Sequence, residues 1–336
     1  MNLSSSEIRR LLTTSDPTVM EQLGAEASRL RDEVYGHRVF MRGLVEISNH
    51  CRNNCLYCGI RREAQCRRYR LTPGQIMDCC RTGHDLGFRT FVLQGGEDAW
   101  FTDEVVCGVV ADIKREFPDC AVTLSLGERG RESFARLREA GADRYLLRHE
   151  TADAAHYARL HPAEMSFDHR MQCLHDLRDL GFQVGAGFMV GSPFQTVDTL
   201  LKDLEFIDDF RPEMVGIGPF IPAEGTPFAD RPAGSVELTL RLLAIIRILH
   251  PSVLLPATTA LGTLASGGRE RAIEAGANVV MPNLSPRETR VLYSIYNNKL
   301  STGSEAAESV SDIRLRLEAL GYELAVDRGD FREARP

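Results

Sequence analysis

From residue 40 onward, short apolar runs alternate with longer amphipathic stretches, and this alternation limits the possible folds more than any other feature of the chain. Eight runs have the length and composition of buried strands: residues 44–47, 90–93, 121–125, 144–147, 183–190, 214–218, 252–257 and 278–281. Strands that alternate with helices predict an α/β fold with a parallel sheet. Eight such units fit a closed (βα)8 TIM-type barrel. An open doubly wound sheet is the alternative, because a count of strands does not prove closure.

The two ends of the chain lie outside this alternation. Residues 1–36 are predicted to form an N-terminal helical extension and residues 286–336 a C-terminal helical cap, which leaves residues 37–285 for the barrel. In a barrel of this kind the functional groups follow the carboxyl ends of the strands. We therefore expect the functional site to lie in those loops.

Composition excludes several classes of protein. With 40 basic and 47 acidic residues the formal charge is −7, which argues against a general nucleic-acid or membrane-surface binder. No apolar run approaches the ~20 residues of a membrane span. Residues 1–14 lack the apolar core of a signal peptide, so we expect a cytoplasmic protein. Nine cysteines in such a chain indicate thiol or metal chemistry rather than disulfides.

Three of the cysteines, Cys51, Cys55 and Cys58, are clustered directly after the first predicted strand. Thiolates are soft ligands that suit iron–sulfur clusters or zinc. On one tight loop, three sulfurs can bind three corners of a cubane cluster and leave the fourth iron open for a small molecule. A structural zinc site needs four protein ligands, and the fourth candidate here, His50, is poorly placed directly beside Cys51.

The loop after the second predicted strand reads Gln94-Gly95-Gly96-Glu97. Two glycines let the backbone approach a ligand closely, and the carboxylate and amide groups suit an ammonium or a carboxylate. An ordinary glycine-rich turn between strand and helix would have the same composition. The position beside the cysteine loop favours a ligand site.

The CX3CX2C spacing, with Tyr57 before the third cysteine, resembles the radical S-adenosylmethionine (SAM) superfamily. The resemblance implies one [4Fe-4S] cluster bound by the three cysteines, and SAM bound at the open iron. Electron transfer to SAM would yield methionine and a 5′-deoxyadenosyl radical. Residues 94–97 resemble the motif that lies beside the amino group of the methionine part.

Longer strings are similar to HydE-type maturases of the iron–iron hydrogenase, with biotin synthase and methylornithine synthase as relatives. They are residues 123–128, 143–151, 166–170, 185–196, 214–222, 256–263 and 278–283. This resemblance implies a role in assembly of the hydrogenase cofactor. Two alternatives stay open: a carbon-skeleton mutase like methylornithine synthase, and a non-catalytic iron–sulfur carrier.

The same resemblance implies roles in the SAM site. Glu150 would accept hydrogen bonds from the ribose hydroxyls, Arg170 would hold the SAM carboxylate, and Met189 would pack near the nucleoside. Thr123 and Ser125 would line the cavity close to SAM. A guanidinium fork suits a carboxylate, and an acceptor-only carboxylate suits paired hydroxyls. By themselves, Arg170 fits a surface charge equally well and Met189 fits a core residue better.

On the substrate side, polar groups follow the later strands. The predicted substrate-binding residues are Arg148, Thr258, Thr259, Tyr293 and Tyr296. A lining rich in hydroxyls and short of carboxylates suits an anionic, polar ligand. The resemblance implies a small organometallic or amino-acid-like anionic substrate.

Protein partners are also implied. Five arginines within residues 61–70 stand out in an acidic chain and fit either a solvated loop or a docking site. We hypothesise that Arg67 and Arg68 dock an acidic electron donor of the flavodoxin or ferredoxin type. The resemblance adds the HydG and HydF maturases as partners. No cysteine follows Cys173, so we do not expect the second, C-terminal cluster that some HydE proteins carry.

Overall fold

The structure is a computed structural model that describes residues 3–300 and 306–333. Its strands are β1 (Arg38–Met41), β2 (Gly43–Ser48), β3 (Thr90–Gly95), β4 (Ala121–Ser125), β5 (Arg144–Leu146), β6 (Gln183–Ala186), β7 (Met189–Val190), β8 (Met214–Val215), β9 (Gly218–Pro219), β10 (Val279–Val280) and β11 (Glu323–Ala325).

Helices follow most strands, as the alternation predicts. They are α1 (Ser5–Thr13), α2 (Pro17–Tyr35), α3 (Pro73–Asp85), α4 (Asp103–Glu116), α5 (Arg131–Glu139), α6 (Ala154–Leu160), α7 (Phe167–Asp179), α8 (Val197–Phe210), α9 (Val236–Leu249), α10 (Thr259–Leu264), α11 (Gly268–Glu274), α12 (Arg287–Arg290) and α13 (Ala306–Ala319). Within the described residues, none of them has the length and apolar character that a membrane span needs.

Closure of the barrel comes from a parallel sheet and a set of isolated bridges. Six strands form one sheet in the order β2-β3-β4-β5-β6-β8. The ring is completed by parallel bridges from Met214 to Leu254, from Pro256 to Val279, and from Asn283 back to Leu44. The barrel expected from the sequence is therefore confirmed. The open-sheet alternative is wrong, because the strands close into a ring.

The run at residues 252–257 occupies the expected place between β8 and β10 without forming a regular strand. It makes single bridges at Leu254 and Pro256 instead of a continuous ladder. Pro256 has no N–H group to donate, which interrupts a ladder at that residue. The side chain of Asn278 supplies part of the missing bonding, because its Oδ1 accepts from the Leu255 N–H at 2.9 Å.

Two other predicted strands are broken in the middle. Residues 183–190 divide into β6 and β7 at Gly187, and residues 214–218 divide into β8 and β9. Gly187 has a φ of 149°, and a Cβ there would overlap the carbonyl group of Gly216. The upper halves, β7 and β9, pair with each other in a separate two-stranded sheet at the carboxyl end of the barrel.

The amino end of the barrel contains two strands that the sequence pattern did not predict. β1 pairs in parallel with both β10 and β11. The description of residues 286–336 as a cap of helices is thus corrected, since β11 belongs to a sheet. A three-residue strand is too short for a recognisable period, and its partner lies almost 300 residues away.

Past β11, the chain plugs the amino end of the barrel. The fully buried guanidinium of Arg144 on β5 donates to the Arg328 carbonyl at 2.8 Å and to Asp330 at 2.6 Å. Arg42, between β1 and β2, reaches the carbonyl of Gly329 at 3.5 Å. The amino end is closed by this segment, so the open end of the barrel is the carboxyl end.

We expect Asn278→Ala to lower the free energy of unfolding by about 2–3 kcal/mol, because it leaves two buried donors without an acceptor. Those donors are the Leu255 N–H and the Arg247 guanidinium, at 2.9 and 3.1 Å from Asn278 Oδ1. Urea denaturation under anaerobic conditions measures the change. Asn278→Asp is the control, since it keeps the oxygen and loses an Nδ2 that has no partner. Equal destabilisation by both changes would contradict this account.

Candidate active site

A cavity of about 380 Å³ opens at the carboxyl end of the barrel. It collects nearly all of the residues that the sequence analysis assigned to a site, from loops far apart in the chain. These are Cys51, Cys55, Tyr57, Cys58, Gln94, Gly95, Gly96, Glu97, Ser125, Arg148, Glu150, Arg170, Met189, Thr258, Thr259, Tyr293 and Tyr296. Thr123 is the exception: it is buried two residues deeper on β4, does not line the cavity, and its hydroxyl has no partner.

The cysteine loop follows β2 and is held by backbone hydrogen bonds to three other segments. The Arg52 N–H donates to the Glu97 carbonyl at 2.9 Å, and the Leu56 N–H donates to the Leu160 carbonyl at 3.0 Å. At the far end of the loop, the Gly59 N–H donates to the Ile295 carbonyl at 2.9 Å. These bonds place the three half-buried thiols along one wall of the cavity.

Arg68 clamps this loop from behind. Its guanidinium donates to the carbonyl oxygens of Asn49, Ile60 (2.9 Å), Arg61 (2.6 Å) and Ala64 (3.1 Å). A guanidinium with this many carbonyl partners has little capacity left for a protein partner. The hypothesis that Arg68 belongs to a docking surface is therefore wrong, whereas Arg67 is exposed.

The spread of the three thiols fits a cluster better than a single ion. Within the described residues, the group of three donor atoms that lie within 4.8 Å of one another is His84, Asp119 and Cys120, outside the cavity. A tetrahedral zinc ion with Zn–S bonds of ~2.3 Å would bring its sulfurs within about 4 Å of one another. The three cavity thiols do not all lie within 4.8 Å of one another, so they are not gathered as closely as a single zinc ion would require.

Burial raises the pKa of all three cavity thiols. Desolvation raises the pKa of Cys58 to about 12, and the neighbouring sulfurs raise the pKa of Cys55 further. Thiolate ligands therefore need a nearby positive charge, which bound iron provides. The donor set, its spacing and its burial all fit the cluster that the sequence predicts.

Gly96 lets the second loop pack directly on the cysteine loop. A Cβ at Gly96 would overlap the His50 carbonyl oxygen and lie 2.7 Å from the Cβ of Cys51. The next residue, Glu97, is fixed by the guanidinium of Arg52 at 2.9 Å and by the N–H of Glu128 at 2.9 Å. The glycine motif thus allows a close contact between two loops of the site. The sequence pattern alone did not distinguish this from an ordinary turn.

Arg170 is buried, at the first turns of α7, and faces the cavity wall. Its guanidinium forms an ion pair with Glu128 and donates to the Arg148 carbonyl at 2.6 Å. Glu128 closes the string 123–128 but was not assigned a role in the sequence analysis. Its carboxylate orients the arginine, which keeps one terminal nitrogen for another acceptor.

Glu150 and Arg148 present unsatisfied polar atoms to the cavity. The Arg148 guanidinium lies 3.2 Å from Glu150 Oε2, but without the alignment of a hydrogen bond. Arg148 Nε and Nη2, Glu150 Oε2 and Thr258 Oγ1 are buried and have no hydrogen-bond partner. Buried polar atoms without partners are costly. Because their residues line the cavity, these donors and acceptors fit a polar ligand.

The opposite wall is apolar. Met189 packs with Leu160, Phe220 and Phe228, and Tyr57 lies against this cluster. Burial lowers the pKa of His161 to about 3, so its ring is neutral and its Nε2 accepts from the Tyr57 hydroxyl at 3.2 Å. This wall suits a nucleoside.

A segment at residues 292–300, which we call the strap, crosses the mouth of the cavity. It carries Tyr293 and Tyr296 and also Lys299, whose ammonium pairs with the fully buried Glu46 of β2. Sequence reasoning missed this pair. Glu46 was detectable as the single acidic residue in an apolar strand, whereas nothing in the local sequence distinguishes Lys299.

Comparison with known proteins agrees with this site. Residues 45–207 match the profile of the radical SAM superfamily. The chain is 43% identical to the [FeFe] hydrogenase maturase subunit HydE of Thermotoga maritima over 96% of this chain and 92% of that protein. It is 28% identical to 3-methylornithine synthase of Methanosarcina barkeri over 96% and 91% of the two chains. A solved methylornithine synthase (PylB) shares the fold with a TM-score of 0.86, at 27% identity and coverage of 97% and 95%.

We expect Gly96→Ala to displace the cysteine loop and to reduce the iron bound per chain by about half or more after anaerobic reconstitution. Iron and sulfide analysis of the purified protein measures this. Gly130→Ala is the matched control, because a Cβ there has no neighbour within 4 Å. Normal iron content in the Gly96 variant would show that the two loops are not tightly coupled.

Proposed function

Because the chain belongs to the HydE family of radical SAM enzymes, we propose that it acts in assembly of the active-site cofactor of [FeFe] hydrogenase. Members of the family use a [4Fe-4S] cluster and SAM. The observation that carries the proposal is that three cysteines and the predicted SAM and substrate residues line one cavity. When bound there, the cluster and SAM supply a 5′-deoxyadenosyl radical by reductive cleavage.

The residues of this chain would bind and orient the two groups. Cys51, Cys55 and Cys58 would hold the cluster. Arg170, oriented by Glu128, offers its remaining donor to a carboxylate. The Glu150 carboxylate suits ribose hydroxyls, because its Oε2 accepts no hydrogen bond although it lies 3.2 Å from the Arg148 guanidinium. The backbone and carboxylate of residues 95–97 lie beside the cysteines, where the amino group of the methionine part would bind.

The substrate would occupy the remaining part of the cavity under the strap. Arg148 and Thr258 line this space and carry donors that make no hydrogen bond, and Lys299 lines it as the partner of Glu46. Such a lining suits an anionic small molecule, either organometallic or amino-acid-like. The strap tyrosines cover the mouth and exclude water, which protects a reactive radical from side reactions.

Two alternatives predict different outcomes. A mutase like methylornithine synthase would use the same two cofactors on an amino acid, but the identity to that enzyme is lower, 28% against 43%. An iron–sulfur carrier would bind the cluster without cleaving SAM. The unsatisfied polar atoms in the cavity favour an enzyme, because a carrier has no use for them.

The test is made on reconstituted, dithionite-reduced protein under anaerobic conditions. We expect an EPR signal from the reduced cluster that changes when SAM is added, and 5′-deoxyadenosine in the same sample. Cys55→Ala should abolish both, whereas Glu150→Gln should keep the iron and raise the KM for SAM. A cluster whose spectrum ignores SAM would establish the carrier. Rearrangement of the carbon skeleton of an amino acid would establish the mutase.

We infer further that an acidic flavodoxin or ferredoxin docks beside the cluster loop. Exposed Arg67 follows this loop in a chain that is acidic as a whole. Arg62 and Arg70 are also exposed, but Arg62 pairs with Glu63 and Glu164, and Arg70 pairs with Asp98. Complementary charge speeds association with such a donor. The HydG and HydF maturases remain predicted partners. The link to them would be the substrate and not this docking surface.

We expect Arg67→Glu to slow reduction by a flavodoxin several-fold at low salt and to leave reduction by dithionite unchanged. Stopped-flow reduction of the cluster measures both rates. Arg115→Glu is the control: it reverses an exposed charge at the end of α4, at the opposite end of the barrel. Equal slowing with both reductants would overturn the docking proposal.

A further inference from the structure

Glu150 has a backbone conformation that few residues with a side chain adopt. Its φ is 66°, in the left-handed region, although it is neither glycine nor asparagine. Strain of this kind is unfavourable and persists where the surrounding structure enforces it. The surroundings of Glu150 therefore show what holds the carboxylate in the cavity.

One constraint is a contact with the broken strand β6/β7. The Glu150 N–H donates to the Gly187 carbonyl at 2.9 Å, and Glu150 forms a parallel bridge with Phe188. The N–H of Gly187 donates in turn to Nδ1 of His149 at 3.2 Å. His149 and Glu150 thus bind both polar groups of the same glycine, one through its ring and one through its backbone.

A second constraint comes from α8. Because Nδ1 of His149 accepts a hydrogen bond, the ring proton lies on Nε2, which is 3.4 Å from Asp203 Oδ1 but without the alignment of a hydrogen bond. The same oxygen accepts from the Ala152 N–H at 2.5 Å. Asp203 therefore holds the chain on both sides of Glu150.

Burial of the His149–Asp203 pair costs free energy. Both side chains are fully inaccessible, and Asp203 Oδ2 has no hydrogen-bond partner. The His149 ring contacts the rings of Phe188 and Phe206. The distances between its ring centroid and theirs are 5.8 and 4.7 Å. An apolar pair of similar size would usually stabilise a core equally well or better. Neither residue lines the cavity, so any influence on a ligand must act through Glu150.

We propose that His149 and Asp203 are positioning residues that hold Glu150 in its left-handed conformation and so set the affinity of the cavity for the ribose of SAM. The proposal rests on the role given to Glu150 under the proposed function. It assigns a function to His149, within the string 143–151 noted in the sequence, and to Asp203, which no sequence motif marked.

Asp203→Asn tests the pair, since it keeps an oxygen for the Ala152 N–H and removes the charge that faces His149. We expect the Kd for SAM to rise about tenfold, while iron content and the rate of deoxyadenosine release at saturating SAM stay near wild type. Equilibrium dialysis on the oxidised holoenzyme, which does not turn over, measures the Kd. His149→Asn, which keeps an acceptor for Gly187, is the second variant if the first does not fold.

Two further measurements separate positioning from general stability. The wild type should bind SAM about tenfold more tightly than its 2′-deoxy analogue, and Asp203→Asn should lose this discrimination. Adding Asp203→Asn to Glu150→Gln should have little further effect, because both changes act on the same contact. His250→Asn is the matched control: His250 faces Asp208 at the same 3.4 Å, outside the cavity.

The outcomes distinguish an error in the ribose role of Glu150 from an error in the positioning role of His149 and Asp203. If Glu150→Gln leaves the Kd and the 2′-deoxy discrimination unchanged, the ribose role of Glu150 is wrong. If Glu150→Gln weakens binding but Asp203→Asn and His149→Asn do not, the positioning role is wrong. Additive effects in the double variant, or an equal effect of His250→Asn, would also overturn it.

Discussion

The cysteine loop contains no helix or strand of its own, so its geometry depends on the segments that it touches. Its backbone bonds reach the loop after β3, the end of α6 and the strap, and Arg68 binds five carbonyl oxygens behind it. Backbone groups near a cavity must be satisfied, and here each bond also fixes the loop in space. The barrel matters to the site because closure brings all of these segments to one end.

Charge inside the cavity is divided between two regions. On the SAM side, Arg170 is paired with Glu128, and Glu97 with Arg52. On the strap side, Lys299 is paired with Glu46, whose pKa burial raises. Buried ion pairs seldom add stability over apolar residues, so the two buried pairs, Arg170–Glu128 and Lys299–Glu46, point to function, whereas Arg52 is largely exposed. The atoms left without partners lie between the two regions, where a ligand would meet them.

Much of the barrel was predictable because buried parallel strands are continuous apolar runs bounded by helices. β2, β3, β4 and β5 lie where those runs predict them. The division at Gly187 was not predictable, because it depends on a close approach to the carbonyl of Gly216, near the neighbouring strand, that leaves no room for a side chain. For the same reason Arg68 was misjudged: its carbonyl partners surround it only after the loop has folded.

The sequence by itself determined the α/β barrel, because periodicity encodes it, and it predicted the three cluster cysteines from their spacing and the SAM-site residues from a family resemblance. Only the tertiary structure decided which polar groups meet. Glu46 and Lys299 are separated by 253 residues, and His149 and Asp203 by 54, yet each pair is in contact. Contacts between distant residues follow from the way the closed barrel packs, and no local pattern records them.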